Sequence, residues 1–154
     1  MVQLTKTIIF KLKNQEYGAN IEQIRSIERV QDIVGLPQSS DFIKGIINLR
    51  GQVTPIIDLR TRLGMEEEVP TEQTRILIAN VRDVQVGFIV DEATDVIDIA
   101  PEHVEDAPEL VTGVDYRYIK GVAKLEARGM LLLLDLDHVL NYEEMDEVLE
   151  VAVD

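Results

Sequence analysis

Alternating apolar and polar positions open the chain. Ile8, Phe10 and Leu12 interleave with Lys11 and Lys13, the period-two pattern of a half-buried strand. The polar turn Lys13-Asn14-Gln15-Glu16 leads into Tyr17-Gly18-Ala19-Asn20. Ile21, Ile24 and Ile27 then recur every third residue, which suits a short helical turn running into a strand and leaves the boundary open. Pro55 interrupts the strand predicted over Gln52–Leu59 and marks an edge or a bulge, because proline cannot donate to a ladder. Asp58 and Asp135 each follow an apolar strand and precede a Leu-containing turn, the placement of a helix N-cap.

The pattern is written twice. At an offset of 69 residues Gly18 meets Gly87, Ile21 meets Val90, Ile24 meets Ala93, Ile27 meets Val96 and Val30 meets Ile99. Ile8 and Ile9 meet Leu77 and Ile78, and the turn Lys13-Asn14 meets Arg82-Asp83. A second block, Lys44-Gly45-Ile46-Ile47-Asn48-Leu49-Arg50-Gly51 with Asp58-Leu59, recurs as Lys120-Gly121-Val122-Ala123-Lys124-Leu125, Arg128-Gly129 and Asp135-Leu136. The offset grows because the second copy has a longer loop near Ala107–Tyr118. Two diverged copies, about 8–66 and 75–142, are the simplest explanation. Arg50-Gly51 and Arg128-Gly129 fall where strands turn back, since glycine supplies the positive φ such turns need. Short strands with frequent turns predict two small β-barrels, which share apolar surface because a copy of this size is marginal alone.

Composition removes several functions. Acidic residues outnumber Lys and Arg by 29 to 15, a net charge of −14, and phosphate backbones and anionic lipid both repel such a chain. There is no cysteine, so no disulfide, thiolate metal site or Cys nucleophile. The longest apolar run, Met130–Leu134, is sized for one buried strand, and no signal core follows Met1, which points to a cytoplasmic protein. Glu143, Glu144, Asp146, Glu147, Glu150 and Asp154 form a C-terminal stretch without a base, and residues 145–154 are expected to be a frayed, solubilising acidic tail.

No catalytic constellation emerges. Asp135-Leu136-Asp137-His138 looks like a metal cluster, but Asp137 and His138 fall where the first copy has Arg60 and Thr61, and further ligands at suitable spacing are missing. It reads as a helix cap with a solvated histidine. Asp91-Glu92 cannot flank one substrate bond on a strand, where neighbours point to opposite faces, and reads as surface charge. Neither a phosphate loop nor a nucleophile elbow is present, and neither His103 nor His138 lies near Ser26, Ser39 or Ser40. The expected class is a non-enzymatic binding module without cofactor or metal. A small-molecule-binding β-barrel sensor is the alternative, although no cluster of convergent polar groups suggests its pocket.

The stretch Phe42-Ile43-Lys44-Gly45-Ile46-Ile47-Asn48-Leu49-Arg50-Gly51-Gln52-Val53-Thr54-Pro55-Ile56-Ile57-Asp58-Leu59-Arg60 closely resembles the CheW family. Val86-Gly87-Phe88-Ile89-Val90-Asp91-Glu92 resembles that family's second recognisable segment, and Glu16-Tyr17-Gly18 fits its start. The likeness makes 4–144 a CheW-like domain. It implies a mainly β fold of two SH3-like five-stranded β-barrels around a shared core, with few short helices. It also implies a chemotaxis adaptor, recruited to receptor arrays at the inner membrane, that couples chemoreceptor hairpin tips to the histidine kinase CheA. By the same resemblance Ile24, Ile27 and Ala93 match receptor-groove positions, although the sequence taken alone favours plain core for the two isoleucines. Asn48 and Arg50 match the Asn-Leu-Arg-Gly motif. The family pairs this arginine with an acid where the present chain has Ser26, and Glu28, two residues on and on the same strand face, is the expected substitute.

Overall fold

The computed structural model describes residues 4–36, 40–66, 68–105 and 118–153. Asp154 and most of the longer loop expected near Ala107–Tyr118 lie outside them. The chain is mainly β. The first copy supplies β1 (Thr5–Leu12), β2 (Gln15–Asn20), β3 (Ile24–Arg29), β4 (Ile43–Leu49), β5 (Gln52–Asp58) and the one-turn helix α1 (Leu59–Arg62). The second supplies β6 (Arg75–Val81), β7 (Val84–Val90), β8 (Glu92–Ile99), β9 (Val104–Glu105), β10 (Ile119–Leu125), β11 (Gly129–Leu134) and helix α2 (Tyr142–Val153). A 3₁₀ turn at Ile21–Gln23 precedes β3, so the isoleucine spacing is a helical turn running into a strand.

The strands form two sheets, ordered β8-β1-β2-β11-β10-β9 and β3-β6-β7-β5-β4. The second has the expected five strands, and the first adds the two-residue β9. Each sheet is a mixture of copies. Hairpin β1–β2 pairs with β8 and β11 of the second copy, and hairpin β6–β7 pairs with β3 and β5 of the first. The parallel contacts are equivalent in register: Leu133 faces Gly18 and Ile56 faces Gly87. The copies have therefore exchanged their first hairpins.

Local chemistry sets the turns. Both central residues of the two-residue loops Lys13-Asn14 and Arg82-Asp83 have positive φ, near 50° and 70°. That is the type I′ geometry whose twist matches the flanking strands. Pro55 lies opposite Ile46, whose N–H and carbonyl are both bonded to Val34 on the outer side of β4. Pairing of β5 with β7 begins only at Ile56, so the missing N–H leaves no ladder bond broken. Val34 can cross β4 only because Gly45 has no side chain: a Cβ there would lie 2.0 Å from the Val34 carbonyl oxygen, and φ is 146°. Gly121 plays the same part beneath Glu105. Each sheet thus curls until the segment leaving one edge strand meets the other edge.

One apolar cluster joins both sheets, with Phe10, Leu12 and Leu134 from one and Ile57, Leu77 and Phe88 from the other. Smaller clusters fill the far faces around Ile56, Ile76 and Ile89, and around Ile9, Ile99 and Leu131. Asp58 and Asp135 cap their turns, accepting from the backbone N–H of Arg60 and Asp137.

The expectation of a frayed acidic end is corrected. Tyr142–Val153 is helical, and its start is a reciprocal cap. Asn141 Oδ1 accepts from the Glu144 N–H, and Glu144 Oε1 accepts from the Asn141 N–H, both at 2.8 Å. Met145 and Val148 sit in the shared core among the acids. Glu147 accepts from the N–H and hydroxyl of Ser40, and Glu144 pairs with Arg62 at 2.9 Å. The Arg62 guanidinium lies over the rings of Tyr118 and Phe42, so the acids of α2 are anchors as well as solvated charge.

Candidate functional site

A bulge in β3 builds the first part of the site. Ile24 opposes Ala79, Ser26 opposes Ile78 and Ile27 opposes Leu77, with Arg25 the extra residue. Ladder partners share a sheet face, so the insertion brings Ile24 and Ile27 onto one face despite their odd spacing. Their partners Ala79 and Leu77 belong to the shared core. Ile24 rests partly buried on that core, whereas Ile27 is 43% exposed at its margin. The second copy repeats the device. Ala93 opposes Phe10, Val96 opposes Ile8, and the register shifts between Ile9 and Phe10. Ala93 is partly buried and Val96 is 45% exposed. Val96 was absent from the residues picked out by resemblance, although its equivalence to Ile27 was on view in the repeat.

Ser26 and Glu28 face the other side of β3, opposite Ile78 and Ile76. Curling of the sheet carries the β4–β5 turn toward this face. Arg50 occupies the turn at φ 52°, and Asn48 Oδ1 accepts from the Gly51 N–H at 2.9 Å, tying the turn down. Arg50 Nη2 then lies 3.5 Å from Glu28 Oε2, with the arginine side chain 74% exposed and the carboxylate 18%. Glu28, Asn48 and Arg50 are thus brought together. In the second copy Arg128 pairs with Asp95, the equivalent of Ser26, and also with Glu16. The acid stands at the position equivalent to Ser26 in one copy and two residues further along in the other.

A second ionic cluster went unread in the sequence. Arg60, 2% exposed, donates from Nε and Nη2 to the two carboxylate oxygens of Asp58 at 3.1 Å, from Nη1 to Asp91 at 2.8 Å, and to the Glu68 carbonyl. Asp91 also accepts from the Lys13 N–H at 2.7 Å. The reading of Asp91 as plain surface charge is therefore corrected: it is a structural ligand of a buried guanidinium. Glu92 makes only a long contact to Lys11 at 3.9 Å. Burial by itself would lower the Arg60 pKa, but hydrogen bonds and charge from Asp58 and Asp91 outweigh it and raise the value above ordinary.

His138 Nδ1 lies 2.7 Å from Asp135 and is largely exposed. Among the described residues no group of three or more His, Cys, Asp or Glu could hold a metal ion, and no helix is long and apolar enough to cross a membrane. The geometry thus gives two repeat-related apolar steps at the margin of the shared core, one on β3 and one on β8, with the Arg50–Glu28 pair on the other face of β3.

An intertwined pair of curled sheets, with each hairpin completed by strands of the other half, is the architecture to compare with known scaffolds. The CheW-like domain matches residues 6–144, and the chain belongs to that family. It is 43% identical over 138 residues to the chemotaxis protein CheW of Bacillus subtilis (strain 168), covering 90% of this chain and 88% of the relative. With the chemotaxis protein CheW of Klebsiella aerogenes it shares 36% over 145 residues, 94% and 87% of the two chains. The crystal structure of scaffolding protein TtCheW from Thermoanaerobacter tengcongensis superposes with a TM-score of 0.83 at 30% identity, covering 92% and 91%. With that membership comes the role, a chemotaxis adaptor.

Proposed function

We propose that this chain couples chemoreceptors to the histidine kinase CheA, binding the hairpin tip of a receptor on the surface built by Ile24, Ile27, Ala93 and Val96. A separate face holds the regulatory domain of the kinase. The observation that carries the reading is the β3 bulge. It costs a ladder position, yet it presents two isoleucines on one face and leaves one exposed where a helix could lie. The chain works by holding partners together at the cytoplasmic side of receptor arrays, with no turnover and no cofactor.

Binding to the kinase regulatory domain is tested by calorimetry without nucleotide or metal. At ~100 μM of each protein even a 10 μM complex forms largely, so measurable heat is expected and its absence would sink the reading.

Arg50→Ala tests the rim. An exposed pair contributes ~0–1 kcal/mol to stability, so the melting temperature should barely move. Kinase activation in reconstituted receptor arrays should fall clearly. Unchanged activation at normal protein level removes Arg50 and Glu28 from the site.

A further inference from the structure

The two sheets are filled differently. Behind Gly87 the second sheet packs Ile56, Ile76 and Ile89 into a closed apolar cluster. By register and repeat the equivalent residues around Gly18 are Leu133, Thr7 and Asn20. Two isoleucines are thus replaced by a shorter hydroxyl residue and an amide. The first sheet is left with a cavity of about 330 Å³ lined by these residues. That size lies within the range of small-molecule pockets.

The walls have a definite chemistry. Ile99, Val104 and Leu133 give apolar surface, and Lys120 and Asp135 bring opposite charges. Lys120 is the bulged residue between Ile119 and Gly121; it is exposed and makes no ion pair with the described residues. Asp135 uses one oxygen for the Asp137 N–H and the other toward His138, which leaves acceptor capacity on both. The two charges therefore share one cavity without neutralising each other. A ligand carrying only a carboxylate would meet Asp135 unfavourably, and one carrying only an ammonium would meet Lys120 unfavourably. A zwitterion satisfies both.

We propose that this cavity binds a small zwitterion with an apolar body, an α-amino acid with an aliphatic or aromatic side chain being the simplest case. Its carboxylate faces Lys120, its ammonium faces Asp135, and its side chain enters the space that Ile76 and Ile89 fill in the other sheet. The site is lined by residues other than Ile24, Ile27, Ala93 and Val96 and would give the adaptor a chemical input of its own.

The test is titration of the isotope-labelled full chain with L-leucine, isocaproate and isoamylamine, followed by amide shifts and taken to about 10 mM so that a 1 mM complex saturates. Leucine should give saturable shifts centred on Thr7, Gly18 and Lys120. The two singly charged analogues should bind at least about ten-fold more weakly, a discrimination typical of charges left unpaired in a pocket. Thr7→Ile, which installs the side chain the second sheet carries at Ile76, should abolish binding with the fold intact. Should that variant not fold, Lys120→Gln at an exposed position carries the test, expected to reduce leucine to the affinity of isoamylamine. No saturable shift with leucine, equal binding of isocaproate, or full binding by either folded variant would overturn the proposal.

Discussion

Residues 1–67 expressed alone should show no cooperative melt and no dispersed amide spectrum as a monomer. Of the ladders that build the fold, this fragment retains only hairpins β1–β2 and β4–β5. Strand β3 loses β6, its only partner in the sheet, and β5 loses its parallel neighbour β7. Two isolated hairpins are marginal in water. A strand-exchanged dimer of two first copies is also disfavoured. Phe10 and Ala19 in one copy correspond to Ala79 and Phe88 in the other, and all four lie in the shared core. A homodimer would put two phenylalanines in one layer and two alanines in the other, combining overpacking with a void. Mixing the fragment with residues 68–154 should restore the native spectrum. A soluble, monomeric 1–67 with a cooperative transition would contradict the exchange argument.

Arg60→Ala should destabilise the whole chain by ~3–5 kcal/mol, since it strands Asp58 and Asp91 against each other in a largely buried place. For a chain of this size that corresponds to roughly 6–20 °C in melting temperature. Pairing the change with Asp91→Asn should recover part of the loss, because one stranded charge is removed. The sign of the pH dependence follows from the raised Arg60 pKa. A raised cation contributes fully below its unfolded pKa and loses that contribution only as pH rises past its folded one. The gap between wild type and variant should therefore stay level from about pH 6 to 10. A fall of under ~1 kcal/mol, measured by urea unfolding, would mean that Arg60 is no more than a surface pair.

The repeated pattern was legible because the glycines and the alternating apolar residues that carry it answer to local geometry. The exchange of hairpins was not, because alternation says which face of a strand is buried and nothing about which strand lies beside it. Ile24 and Ile27 favoured core over groove on sequence alone for a related reason: three-residue spacing resolves onto one strand face only when a bulge is known. The Arg60 cluster was missed since Asp91 lies 31 residues from it, beyond any local pattern. In the C-terminal stretch two buried residues, Met145 and Val148, were outvoted by the acids around them, although their three-residue spacing is helical.

The exchanged hairpins also bear on how such an adaptor came to have a direction. A single ancestral copy could have completed its sheets only with a second, identical one, in a two-fold dimer with two indistinguishable faces. In one chain the two halves are under no such constraint. Ile24 and Ile27 now stand against Ala93 and Val96, and Arg50–Glu28 against Arg128–Asp95. A symmetric dimer enters a lattice equally well either way round. This chain, with a different set of contacts on each half, presents two distinguishable sides, so a complex built on it has a direction.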